Sequence, residues 1–317
     1  MTRFILRRLA ETLLVLLAMS VVIYGLIGLM PGDPIDLMIT ANPKLTPEDV
    51  ARLKAVYGVD RPLAERYAAW LSSALSGDLG YSRLQSQPVL QVLAPRLANT
   101  LLLMGASFVL ALTIAIPAGI WAALRHRSPV DHLLNLLAFA GISMPSFWLA
   151  ILLIILFAVT LGVLPAGGMA TTGVDSLADR ARYLVMPVLT LTTVTVAGQL
   201  RYTRAAMIET LHQDYIRTAR AKGLGTARVV YGHALRNAMI PVVTIMALDF
   251  GSLFSGALIV ETMFAYLGMG KTIFDAIMGN DYNLAMAGLL LATATVLIAN
   301  LAADLAYGWL DPRVTYR

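Results

Sequence analysis

Six stretches of this chain, at residues 9–30, 100–124, 133–163, 184–200, 238–260 and 284–307, are predominantly apolar. At 1.5 Å per residue each is long enough, as a helix, to cross the roughly 30 Å hydrocarbon core of a bilayer. Composition agrees: 58% of the 317 residues are hydrophobic and 14% charged, with a mean hydropathy of +0.73. A soluble domain with a solvated surface cannot carry that balance. The runs lack the alternation of apolar and polar residues that a transmembrane barrel needs, and helices are then the only backbone that satisfies its own polar groups in lipid. The fold class is therefore all-α: a polytopic membrane protein of six transmembrane helices. The basic start, with Arg3, Arg7 and Arg8, resembles a signal peptide. The apolar stretch is too long for one and no small-x-small cleavage site follows, so it is read as an uncleaved first span.

Basic residues set the orientation. Arg3, Arg7 and Arg8 precede the first span, Arg125 and Arg127 lie in the second connection, and Arg201, Arg204, Arg217, Arg220, Lys222, Arg228 and Arg236 crowd the fourth. The third connection balances Arg180 and Arg182 with Asp175 and Asp179, and the fifth has Lys271 against Glu261, Asp275 and Asp281. Positive charge is retained in the cytoplasm, which predicts both termini inside and assigns Glu261 and Asp281 to an outer loop. The net charge of +5 follows from this distribution and is no nucleic-acid signal. The chain has no cysteine, which excludes disulfides and thiol chemistry.

The string Gly268-Met269-Gly270-Lys271-Thr272 ends like a nucleotide-binding P-loop. It falls on the side predicted to be external, where ATP is absent. Its pattern also wants glycine at 265, which is Ala265, and a strand feeding the loop. It is read as a turn at the outer surface.

Residues 1–30 form the first unit, 31–98 an external helical loop, and 99–317 a membrane core containing a cytoplasmic loop at 201–237. Within 31–98, Thr46-Pro47-Glu48-Asp49 is a strong helix start running to Gly58, and a second helix is expected from Pro62 to about Leu75. This segment is either a cap on the membrane domain or a docking surface for an external partner.

The 212–243 loop is basic and too long for a connector. Leu211, Tyr215 and Ala219 recur at helical spacing, Gly223-Leu224-Gly225 breaks the helix, and a second helix is expected from Thr226 to about Leu235. Small residues at 219, 221, 223 and 225 would let a partner's backbone approach, with Arg217, Arg220, Lys222 and Arg228 around them. The residues alone leave open a docking loop, a basic loop held near anionic headgroups, and plain topology signalling.

"RTARAKG" followed by "LRNAMIPVV" resembles the cytoplasmic coupling loop of ABC importer permeases, in the form found in the dipeptide, oligopeptide and nickel branch. Arg217, Thr218 and Ala219 stand where that family often has Glu-Ala-Ala, and Gly223 at its glycine. The Leu-Pro pair of other branches is absent, Arg236 standing there and the proline coming at Pro241, as is similar in the peptide branch. "FILRRL", "MPGDP", "YGVDRPL", "GDLGYS", "RLANTL", "SMPSFWLA" and "WLDPRV" follow in the family's order. Leu267 replaces the proline usual in the outer turn. The resemblance implies an inner-membrane permease that is not itself an enzyme and needs no cofactor. Its expected partners are a second homologous permease, two cytoplasmic ATPase subunits, an external substrate-binding protein and membrane lipid, with no nucleic acid. It implies contact with the ATPase through Tyr215, Arg217, Thr218, Ala219, Lys222, Gly223 and Leu224, with Ala219 and Gly223 at the closest approach.

Among intramembrane acids, Glu11 is expected to reach back to Arg7 and Arg8, and Asp304 to be structural. Asp249 falls near the middle of the fifth span, with Ser252 and Ser255 following; an acid there is by default functional. These three are candidates for the translocation pathway or for a contact with the partner permease. The rival class, an ion-coupled secondary transporter built on Asp249, predicts two related halves with broken helices, and no internal repeat is found.

Overall fold

The computed structural model describes residues 2–29, 46, 48 and 61–310. The chain begins with α1 (Thr2–Gly28), and further along continues with α2 (Leu63–Leu75) and a short antiparallel ribbon of β1 (Tyr81–Ser82) and β2 (Gln87–Pro88). Then come α3 (Val89–Leu124), α4 (Pro129–Ser143), α5 (Ser146–Leu153), α6 (Leu177–Leu211), α7 (Asp214–Ala221), α8 (Leu235–Met263), α9 (Met269–Met278) and α10 (Tyr282–Leu310). Five described helical segments are long and apolar enough to cross a membrane, and the paired segments Pro129–Ser143 and Ser146–Thr160 bring the number to six. The helix expected at 46–58 falls mostly on residues outside those described, whereas the helix expected from Pro62 to about Leu75 forms as α2.

The third crossing, expected as one span at 133–163, is broken at Pro145. It is two helices bent by 100°. The cause is local: a residue before proline is pushed out of the helical region, and Met144 is extended at φ −89°, ψ 116° ahead of Pro145. The second arm then loosens into a π-helical stretch, Ile154–Thr160.

Two other helices overrun their apolar windows. The helix α3 starts at Val89, so the boundary expected at 98 lies inside it, and α6 extends from Leu177 to Leu211, beyond 184–200 at both ends. Hydropathy marks where the membrane is, and a helix with charged ends such as Asp179–Arg182 and Arg201–Glu209 continues past it.

The core lies where α3, α5, α6, α8 and α9 meet, around Leu103, Met104, Met186, Leu191, Phe254 and Val260. At the contact of α3 with α6 there is room for no side chain at Gly119: a Cβ there would stand 2.8 Å from Thr203 Cβ and 2.9 Å from the Leu200 carbonyl oxygen. Two of the buried threonines of α6 satisfy their hydroxyls within the helix and a third reaches across to α3. Thr190 and Thr195 donate back to the carbonyls of Met186 and Leu191 at 2.9 and 3.1 Å, while Thr192 reaches Ser107 O of α3 at 3.1 Å. Outside this bundle α1 packs its Ile23 and Ile27 on the outer part of α3 and the start of α10, leaving Leu6, Leu13, Leu14 and Val21 exposed, as lipid contact requires. Glu11 accepts from Arg7 Nε at 2.8 Å and from Arg8 at 3.5 Å, the arrangement expected from the sequence. The side chain of Asp304 lies outside those described.

Candidate functional site

The loop after α6 folds as a docked short helix. Its C-terminus is closed by a glycine reversal: Gly223 sits at φ +79°, its N–H donates to Arg220 O at 2.9 Å, and the Leu224 N–H donates back to Ala219 O at 3.3 Å. This is the paired hydrogen-bond pattern that lets a left-handed residue end a helix. One face of α7 is apolar and turned inward. Ile216 is 0% and Ala219 7% exposed, and both pack with Ile120 and Ala123 of α3, Met207 of α6, and Val229, Val230 and Ala234 further along. Leu224 rests half-buried on the same cluster.

Ala219, expected at the closest approach to a partner, is packed on its own chain. The pattern of small residues is real, but Ala219 is spent on seating α7 against its own chain. The outward face consists of Tyr215, 43% exposed, with Arg217, Thr218, Lys222 and Gly223, all exposed. No atom would lie within 4 Å of a Cβ at Gly223, so this chain demands glycine there for backbone reasons alone. Burial of its ring pushes the Tyr215 phenol above its ordinary value, against a hydrogen bond to Asn237. The helical run expected from Thr226 to about Leu235 forms, though not as a separate α-helix. Residues 226–227 lead through a π-helical segment, Arg228–Ala234, directly into α8, because nothing after Gly225 breaks the helix. The helix α7 thus packs against one end each of α3, α6 and α8.

Asp249 is half-buried and accepts from Gln199 Nε2 of α6 at 2.7 Å. Gln199 is fully buried, and its Oε1 and the Thr203 Oγ1 have no hydrogen-bond partner among the described residues. The side chains of Ser252 and Ser255 lie outside those described.

Three further carboxylates, Glu261, Asp281 and Asp131, are buried and organise the fold. Glu261, 0% exposed, lies at the end of α8 and fills the N-terminus of α9. It accepts from the Lys271 N–H at 2.9 Å, from the Gly270 N–H, and from Thr100 Oγ1 of α3 at 2.5 Å. Thr100 in turn accepts from the Met269 N–H at 2.7 Å. The P-loop-like string is thus a helix start and no mere surface turn, and the anion it cradles is the chain's own carboxylate. Lys271 is tied to Asp275 at 2.6 Å. The glycines are sterically required: a Cβ at Gly268 would lie 2.0 Å from Glu261 Oε1, and one at Gly270 2.8 Å from Leu258 Cα. Beside them Tyr266, buried under the same turn, has its phenol pushed up to about 12, chiefly by burial and then by the Glu261 charge.

Asp281 caps α10 through the Leu284 N–H at 3.3 Å and clamps the ribbon through Ser82 Oγ at 2.6 Å and the Leu84 N–H at 2.9 Å. At the opposite end Asp131, 1% exposed, takes both Nε and Nη2 of Arg204 at 2.5 and 2.7 Å, joining α4 to α6. The signal for Glu261 was present in the sequence as two glycines flanking a helix start a few residues after an acid. Asp131 and Arg204, 73 positions apart, left none.

The chain matches the model of the binding-protein-dependent transport system inner membrane component over residues 115–316, and that of the N-terminal part of such membrane components over residues 1–104. It is 38% identical to the oligopeptide transport system permease protein AppB of Bacillus subtilis over the whole of both chains. Against the dipeptide transport system permease protein DppB of Escherichia coli the identity is 36%, again over the whole of both. In three dimensions it is similar to the MetNI methionine ABC transporter in an inward-facing conformation, with a TM-score of 0.55 at 18% identity, covering 70% of this chain and 97% of that one; at this identity the likeness shows the fold. With both parts of its length matched and relatives aligned end to end, the chain belongs to the family of binding-protein-dependent transport system inner membrane components.

Proposed function

We propose that this chain is the permease subunit of an ATP-driven importer that moves peptides, or a related small solute, delivered by an external binding protein. The names of its relatives support the peptide class. Both termini and α7 face the cytoplasm in this reading, supported by the excess of Arg and Lys in the connections at that end. A second, homologous permease completes the pathway and two ATPase subunits supply the energy.

The observation that carries the proposal is the seating of α7. Ile216 and Ala219 anchor it to the inner ends of three membrane helices, while Tyr215, Arg217, Thr218, Lys222 and the reversal at Gly223 face outward. Closure of the ATPase subunits biases the membrane helices only if they contact α7 differently in the two states, and a helix packed on all three ends passes that bias to each. Asp249, held by Gln199 between α6 and α8 and followed by Ser252 and Ser255, supplies polar lining in the middle of the pathway.

The chain has no native cysteine, so Arg217→Cys gives a single label. A membrane-impermeant maleimide labels it only after the membrane is opened, and a maleimide–benzophenone reagent attached to it, which inserts into C–H bonds on illumination, links it to an ATPase subunit. Labelling in sealed cells would overturn the orientation; absence of any link would overturn the coupling role.

A further inference from the structure

Facing stripes of α4 and α6 enclose a cavity of about 400 Å³ that none of the roles above uses. On α4, Asn135, Phe139 and Ile142 lie on one face at four- and three-residue spacing, leading away from the Pro129 end; on α6, Gly198, Arg201 and Tyr202 stand opposite. The cavity is graded along the membrane normal. If α6 (Leu177–Leu211) is centred on the bilayer, ten residues either side of its midpoint span about 30 Å, and the hydrocarbon boundary falls near residue 204. Arg201 and Tyr202 then lie about 3–5 Å inside that boundary, where a long side chain reaches the headgroups, and Gly198 and Ile142 lie deeper among the acyl chains.

The charges at the polar end are not equivalent. Arg204 is consumed by Asp131 at 2.5 and 2.7 Å, and Asn135 Nδ2 donates to the same carboxylate at 2.8 Å. Arg201 has no acid partner among the described residues. Its guanidinium lies over the Phe139 ring, Cζ 4.5 Å from the centroid, which fixes the plane and leaves its edge N–H groups free. An arginine held this way suits the oxygens of a phosphate, with Tyr202 lining the same cavity and Phe139 and Ile142 forming an apolar slot leading into the membrane.

We propose that this cleft is a binding site for an anionic phospholipid, its phosphate on Arg201 and one acyl chain along Phe139 and Ile142. The assignment to the inner leaflet rests on the orientation proposed above; the site itself does not, so its failure would leave the maleimide result at residue 217 untouched.

The test uses the intact transporter, purified through a tag on this chain and titrated with phosphatidylglycerol or phosphatidylcholine under native mass spectrometry. Phosphatidylglycerol is retained by the wild type, about tenfold more weakly by Arg201→Gln, and equally well by Arg236→Gln, an exposed arginine outside the cleft. Phosphatidylcholine is not retained, and millimolar inorganic phosphate leaves the adduct in place. Equal retention by Arg201→Gln would overturn the proposal, and displacement by phosphate would turn the site into one for a free anion. Should Arg201→Gln not assemble, a photoreactive p-benzoylphenylalanine at Ile142 decides: a crosslink to lipid supports the site, and a crosslink to another subunit shows that protein covers the cleft and overturns it.

Discussion

Replacing Gly268 with alanine places a methyl group where the Glu261 carboxylate already lies. The added Cβ would stand 2.0 Å from Oε1, 2.1 Å from Cδ and 2.5 Å from Oε2, against 3.4–4 Å for an ordinary contact. The carboxylate must therefore retreat by more than an ångström. Backbone strain adds nothing, because Gly268 is extended at φ −98°, ψ −178°, a conformation open to any residue. The retreat breaks the bonds to the Gly270 and Lys271 N–H groups and to Thr100. Hydrogen bonds to a charged acceptor contribute about 1.5–3 kcal/mol each, and a donor left buried without a partner costs about 1–3 kcal/mol. After partial relaxation the loss is about 3–5 kcal/mol. Glu261→Ala removes the same bonds and costs a similar amount. In that background Gly268→Ala meets no carboxylate and costs less than about 1 kcal/mol, so the two substitutions are non-additive by about 3 kcal/mol. The assay is the apparent melting temperature of the purified transporter at fixed detergent and lipid. At about 2–4 °C per kcal/mol for a chain of 150–250 residues, the coupling reads as roughly 6 °C or more. If Gly268→Ala lowers the midpoint equally in both backgrounds, the carboxylate does not hold the start of α9.

Ala265 occupies a left-handed position at φ 48°, where alanine is disfavoured by about 1–2 kcal/mol. Ala265→Gly completes the formal P-loop string and raises the melting temperature by a few degrees, while the labelled-ATP retention of the purified chain stays at background. Asp131→Ala leaves Arg204 without its partner and costs about 3–5 kcal/mol, whereas Asp131→Leu with Arg204→Met is closer to neutral; chemical denaturation of the two variants separates these outcomes. Gly223→Ala strains the reversal after α7 by about 1 kcal/mol with no steric clash. Membrane insertion and basal ATPase activity persist and substrate-stimulated ATPase activity falls, read by phosphate release in reconstituted vesicles.

The spans were legible because each is a one-dimensional signal: apolar length decides whether a helix can cross, and no distant residue is consulted. Their ends were less so. The helix α6 runs on through Arg201 and Arg204 because a backbone ladder does not stop where hydropathy does, and α8 begins earlier than expected because no breaker follows Gly225. The bend in the third crossing was partly written in Met144-Pro145. Its angle of 100° depends on what the second arm packs against, and Ala150, Leu153 and Phe157 meet the central cluster of α3, α6 and α8.

The loop after α6 shows a finer limit. Spacing identified one narrow face of α7, with Ala219 on it, and could not say which body that face meets. Small residues suit a close approach to a partner and to the chain's own helices equally, and only the position of Ile120, Met207 and Val229 decides for the second. The glycine string near 268 is the same ambiguity in its charged form. A helix start with glycines at its first turn offers N–H groups to an anion, whether that anion is a nucleotide phosphate or a side chain. What separates them is whether a carboxylate from elsewhere in the chain already fills the place, and here Glu261 does, at 2.9 Å from the Lys271 nitrogen. A phosphate could enter only by displacing a buried acid that also ties α3, α8 and α9 together through Thr100. The resemblance to a P-loop therefore extends to its physics and ends at its ligand.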